Sequence, residues 1–458
     1  MAWDVARDAE EKQLAEKKRQ IKLAAHIHVT GHHVTAWLHP RSQIDAGRNA
    51  KHYMEMAQTA ERGKFDLMFL ADAPAIREGN MKALRRWPQY NTHLEPLTIF
   101  SAMAAVTEHI GFVATASTTF MEPYNLARFF ASLDHISEGR AGWNVVTTAN
   151  PNAAANFGKD ELMSHAERYE KAHEYVSVVK GLWDSWDDDA FPRDRETGIY
   201  FDPDKMHRLN HKGKFLSVAG PLNVERPPQG HPLIVQAGTS EDGRNLASTI
   251  ADMVFMQEMS LDSAKRIYKD IKERVVKFGR QPEDLLITPG MAVIVCKTAD
   301  EAKRQHDFLL SKIHPEVGLE IIRTQMNNVD MSMLDPDKPF PKELIPTDDS
   351  THSRRTRELL AQNPGTVREM YERMSGARTS HMLVGDPIQV ADRLQEWHEE
   401  RGADGFIIQP AYLPGGLDDF VDLVVPELQR RGIYRTEYEG KTMRENLGLK
   451  RPKSVYAK

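Results

Sequence analysis

Residues 140–169 read RAGWNVVTTANPNAAANFGKDELMSHAERY. The opening AGWNVVT is an apolar run of strand length. ANPNAAANFG follows at once and is dense in turn-forming residues. A helix then opens near Ser164, and His165 and Tyr169, four residues apart, share one face of it. This is a strand, a long polar loop and a helix that presents two hydrogen-bonding rings. In an alternating β/α chain, ligands bind where strands end and helices begin.

Working outward, the same alternation repeats. Upstream lie the strand IKLAAHIHV (21–29), a helix from about Asn49 to Lys64, the strand FDLMFLAD (65–72), the helix PLTIFSAMAAVTEHI (96–110), the strand GFVATAS (111–117) and the helix PYNLARFFASLDHIS (123–137). Downstream lie PLIVQAG, SEDGRNLASTIA, DMVFMQ, a helix over about 261–278, LLITPGMAVIV, TADEAKRQHDFLLSKI, IQVADRLQEWHEERG, GFIIQPA and LDDFVDLVVPELQRR. The strand runs are apolar throughout, as strands covered on both faces tend to be. Two stretches break the rhythm, about 187–230, with a short hairpin expected between Tyr200 and Phe215, and about 314–378. About eight strands with helices between them predict an α/β fold, a TIM (β/α)8 barrel with insertions. An open doubly wound sheet is the alternative, but no G-x-G-x-x-G follows the first strand. The predicted organisation is a charged N-terminal extension (1–20), one barrel with its insertions (21–430) and a C-terminal tail (431–458).

The formal net charge of -6 argues against a nucleic-acid partner. No apolar run approaches the ~18 residues of a membrane span, and the leader has no apolar core of a secretory signal. The single cysteine, Cys296, excludes an intramolecular disulfide. A cytoplasmic enzyme is expected.

Several residues fall at strand ends on the predicted catalytic face. His26 and His28 alternate onto one side of the first strand. An H-x-H there resembles half of a metal site. The later strands end in QAG, MQE and QPA and supply no further ligands, so a packed pair is preferred and no metal is expected. His32, His33, His39 and Trp37 follow the first strand. On position they suit two readings equally, groups that line a pocket for a ring and move protons near neutral pH, or loop histidines that only hydrogen-bond backbone. Asp72 ends the second strand and Thr115 the third. Both suit a flat heteroaromatic ligand, though spacing alone favours plain strand-end capping. Ser240 opens a helix after Gly238 and suits either a phosphate or an ordinary N-cap. Arg77, Lys82, Arg85 and Arg86 sit in the loop from Ala73 to Thr92.

Longer stretches carry a resemblance: GHHVTAWLHP, TAERGKFDLMFLAD, EPLTIFSAMAAVTEHIGFVATASTT, EPYNLARFFASLDHISEGRAGWNVVTTAN, GPLNVERPPQGHPLIVQAG, GADGFIIQPAYLPGG and FVDLVVPELQRRGIYRTEYEGKTMRENLGL. Together they resemble the large component of the two-component flavin monooxygenases related to bacterial luciferase. The likeness is to the nitrilotriacetate monooxygenase branch, which also holds enzymes acting on EDTA and dibenzothiophene sulfone. It implies reduced FMN and molecular oxygen as co-substrates, a separate flavin reductase as partner, and oxygenation with C–N or C–S cleavage. It points to Asp72, Thr115, His165, Tyr169 and Ser240 as FMN contacts. His33 and His39 become candidates to assist the oxygen chemistry, and Trp37, Arg85 and Arg86 candidates to meet substrate. A homo-oligomer, dimer or tetramer, is expected. A deazaflavin-dependent oxidoreductase and a non-catalytic flavin-binding protein are the rival readings.

Overall fold

The computed structural model describes residues 19–457, apart from 90, 149, 239, 327, 348–352, 354–355, 358–359, 361–364 and 378–380. Most of the charged leader, and much of the polar run at 345–358, lie outside the described residues. The strands are β1 (Lys22–Ile27), β2 (Leu67–Leu70), β3 (Gly111–Ser117), β4 (Ala141–Val146), β5 (His211–Lys212), β6 (Ser217–Val218), β7 (Leu233–Ala237), β8 (Met253–Met256), β9 (Leu286–Val295), β10 (His381–Gly385) and β11 (Gly405–Pro410). Eight of them pair in parallel in the order β1-β2-β3-β4-β7-β8-β9-β11, and β11 pairs with β1 through Lys22↔Gly405 to close the barrel. The expected barrel is therefore present, and its eight strands are the eight apolar runs of the sequence.

Alternation along each strand divides its side chains between two cores. On β4, Trp143 points outward, where its ring meets Phe130 and Tyr175 on the covering helices. Its neighbour Asn144 points the other way, into the barrel mouth. The barrel interior is filled by Leu67, Phe69, Val113, Val235, Phe255 and Ile407. Met443 and Leu447, from the short helix Met443–Leu447, belong to the same cluster. The C-terminal segment thus plugs the N-terminal end of the barrel rather than trailing from it. Arg444 locks the plug by donating to Asp252 at 2.6 and 3.0 Å. With that end sealed, the open end is the C-terminal one.

Two features depart from the sequence reading. β10 was not anticipated. It pairs with the C-terminal half of β9, from Met291 to Val295, which runs on past its pairing with β8. The stretch 314–378 was expected to be irregular, yet it holds helices Pro315–Gln325 and Val367–Ala377. Val317 and Ile321 join Met370, Tyr371, Leu84 and Trp87 in a separate apolar cluster above the β1 and β2 ends. In the other insertion β5 and β6 form a short antiparallel hairpin, and Glu174 accepts from the amides of Phe215 and Leu216 beside it.

Candidate active site

The barrel mouth holds a cavity of about 210 Å³. Its wall is built from strand ends: His26 of β1 and His28 just past it, Phe69 of β2 and Asp72 after it, Thr115 of β3, Asn144 of β4, Phe255 and Gln257 at β8 and Gln409 of β11. Asp72, Thr115 and Val146 also line a larger groove of about 480 Å³. That groove runs outward over Phe120, Met121 and Phe157. A polar pocket therefore opens directly into an apolar channel.

The local folding of the β1 loop depends on one glycine. Gly31 has φ +127°, and a Cβ there would lie 2.5 Å from the Ala411 carbonyl oxygen. Only glycine lets the loop press so close to the segment after β11. The two backbones are joined where His32 and His33 donate their amides to Pro410 and Ala411, each at 3.0 Å. This turn returns His32 to the cavity wall beside His26 and His28, and sends His33 the other way.

Asp72 accepts from His93 Nε2 at 2.7 Å. Thr115 donates to the Leu70 carbonyl and accepts from Asn144 Nδ2, both at 2.9 Å. Asn144 Oδ1 is buried and has no hydrogen-bond partner among the described residues. A buried acceptor left unsatisfied costs about 1–3 kcal/mol. An N–H donor in the cavity would relieve that cost, and a flavin ring carries one.

His165 and Tyr169 meet as expected, with ring centroids 4.8 Å apart. Both lie at the start of helix His165–Trp183, whose N-cap Ser164 forms a capping box with Glu167. Ser240 caps helix Glu241–Ile250 by accepting from the Gly243 amide at 3.1 Å. His165 Nδ1 lies 3.3 Å from Asp242, so the two helix starts stand side by side. Both are exposed, and both present the N-terminal amides that suit a phosphate.

The remaining candidates fall elsewhere. His33 is packed between Thr35, 2.8 Å from Nδ1, and Ser375, 3.5 Å from Nε2, and is not among the cavity-lining residues. Burial drops its pKa to about 3, so its ring is neutral at pH 7. His39 stacks on Tyr412 at 3.7 Å and bonds Gln305 at 3.0 Å. Burial lowers its pKa too, against the opposing pull of Gln305. Trp37 donates its indole N–H to the Arg86 carbonyl at 2.9 Å, tying the β1 loop to the arginine-bearing loop. Arg85 is exposed, and Arg86 lies 4.0 Å from Glu316. The sequence reading missed His93, Asn144, Gln257 and Gln409 as site residues, and had preferred a packed pair for His26 and His28. Gln409 carried a signal, being the one amide inside the apolar run GFIIQPA.

A parallel barrel carries a mixed polar and apolar cavity at its C-terminal end, a buried acceptor in the wall and two helix starts beside it. Residues 28–405 match the model of the luciferase-like monooxygenases. The chain is 46% identical over 447 residues to the N-acetyl-S-(2-succino)cysteine monooxygenase of Bacillus subtilis (strain 168), covering 97% of this chain and 100% of that protein. It is 45% identical to nitrilotriacetate monooxygenase component A of Aminobacter aminovorans, covering 96% and 99%. Among solved structures, riboflavin lyase with modified FMN and substrate riboflavin superposes with a TM-score of 0.82 at 30% identity, covering 94% and 96%. The chain belongs to the luciferase-like monooxygenase family, and it is a flavin-dependent enzyme. Among the described residues no helix is long and apolar enough to cross a membrane.

Proposed function

We propose that this chain is the oxygenating component of a two-component system. It receives reduced FMN from a separate flavin reductase and uses molecular oxygen. Its substrate is a small organic molecule, oxygenated beside nitrogen or sulfur so that a C–N or C–S bond breaks. The observation that carries this reading is the orphan acceptor Asn144 Oδ1, in a polar pocket continuous with an apolar channel.

The residues present fit the cofactor. Asp72, Thr115 and Asn144 would hold the ring, and His165, Tyr169 and Ser240 the phosphate end. When bound, the flavin supplies the oxygen activation. The chain's own task is to orient the ring, present the substrate and keep water out. The cluster of Trp87, Val317, Ile321 and Tyr371 above the mouth suits the last task. The names of the two relatives, a succinocysteine and a nitrilotriacetate enzyme, both indicate substrates rich in carboxylates. Arg85 is an exposed cation on the adjoining loop that suits such a substrate, and Arg86 beside it stands 4.0 Å from Glu316. The test is an anaerobic titration with reduced FMN, followed by oxygen and a panel of N- and S-substituted carboxylates. Stoichiometric binding and a cleaved product are expected. Oxygen consumption that yields only hydrogen peroxide with every substrate class would remove the C–N and C–S reading.

A further inference from the structure

The wall of the barrel-mouth cavity also contains three clustered imidazoles. His26, His28 and His32 are 4–6% exposed and pack ring against ring. Their centroids are 4.8 Å apart for His26–His28, 4.4 Å for His26–His32 and 4.6 Å for His28–His32. One ring nitrogen from each can be chosen so that all three lie within 4.8 Å of one another.

We infer that these three imidazoles form a site for a divalent first-row transition ion of the Zn2+ or Co2+ class in the flavin-free protein. Three neutral imidazoles are the protein part of a familiar four-coordinate zinc sphere, with metal–nitrogen distances of about 2.0–2.1 Å and ligand nitrogens therefore about 3.3 Å apart. Contraction from 4.8 Å to that spacing needs ring rotations that move each nitrogen by roughly 1 Å, not a change of strand register. The backbone already supplies convergence. His26 on β1 and His28 just past its end both face the cavity, and the Gly31 turn returns His32 beside them.

The surroundings resemble those that orient metal-bound histidines, whose second ring nitrogen usually meets a carbonyl or amide. His32 Nε2 lies 3.1 Å from the His26 carbonyl oxygen, a contact of that kind. Gln409 meets His26 Nδ1 at 3.3 Å. With its amide turned so that the oxygen accepts from Nδ1–H, Nε2 of His26 becomes the ligand. The fourth position faces the cavity and would be filled by water. A set made only of imidazoles, without hard oxygen ligands, selects against Mg2+ and Ca2+.

Titration of the flavin-free protein with Co2+ tests this apart from the monooxygenase reading, because it needs neither flavin nor turnover. One equivalent should bind, with the strong visible absorption of four- or five-coordinate cobalt, and Zn2+ should displace it. His28→Asn and His32→Asn should each weaken binding at least about 100-fold, with near-ultraviolet dichroism unchanged. Should either variant lose its fold, the wild-type cobalt protein still decides, since the hyperfine-shifted ring N–H protons count the histidine ligands. Three such signals uphold the site. Fewer than three, no stoichiometric binding, or equal binding by folded His28→Asn and His32→Asn overturns it.

Discussion

At the scale of single residues, two side chains carry the sharpest expectations. Asn144 holds a buried acceptor with no partner among the described residues. Asn144→Leu keeps the shape and removes that acceptor. Flavin affinity should fall about tenfold, the worth of one hydrogen bond, while relief of the buried acceptor offsets the lost Nδ2 donor to Thr115 and the melting temperature of the flavin-free protein stays level. Isothermal titration and thermal melting measure the two, and a variant that melts lower yet binds flavin normally would put Asn144 in the scaffold instead. His33 is the second. Its pKa is about 3 in the folded protein against 6.5 unfolded, because burial disfavours the charged ring. Between those values the unfolded chain binds the extra proton. The stability His33 contributes is therefore full above pH 6.5 and is lost as pH falls toward 3, at up to about 1.4 kcal/mol per pH unit. His33→Gln should flatten the acid limb of a pH–stability curve by about one proton. Asp72 and Thr115 stand out as polar residues in apolar strand runs, but spacing alone favours strand-end capping for both, and only the resemblance raises them as cofactor contacts. His93, the partner of Asp72, was not legible, since it lies 21 residues away in an irregular loop. Choosing His32 over His33 was beyond spacing too, because the turn at Gly31 resets which neighbour faces inward.

At the scale of elements, two helix starts side by side make the proposed phosphate site. Ser240→Ala should cost about 1 kcal/mol of stability as a lost N-cap. It should also weaken FMN more than riboflavin, which lacks the phosphate. Equal losses for the two ligands would leave Ser240 as a cap and nothing more. Tyr169→Phe and His165→Ala should each weaken FMN about ten- to hundredfold if they meet a charged group, and unchanged flavin titrations would remove them. The strands were readable because burial on both faces makes them continuous apolar runs. β10 escaped because it pairs only with the overhang of β9 and is half-buried at three of its five positions. The helices Pro315–Gln325 and Val367–Ala377 escaped because they flank a polar run that dominates the composition of the stretch, and because they bury a face against each other rather than on the barrel.

At the scale of the whole molecule, the barrel fixes the cavity and the loops decide what enters it. Trp37 clamps the arginine-bearing loop through the Arg86 carbonyl. Replacing Arg85 and Arg86 by Ala should raise KM for a carboxylate substrate several-fold and leave FMN affinity alone. An unchanged KM would separate that loop from substrate choice. The central claim is that a diffusing reduced flavin, made elsewhere, drives the reaction with oxygen. Its most direct test is product formation by the purified protein with NADH, oxidised FMN and a cleavable substrate, in air and under nitrogen, with and without an unrelated flavin reductase. Product is expected only in air and only with the reductase or with chemically reduced FMN. Full-rate product without any reductase, or turnover in strictly anaerobic buffer, would contradict it.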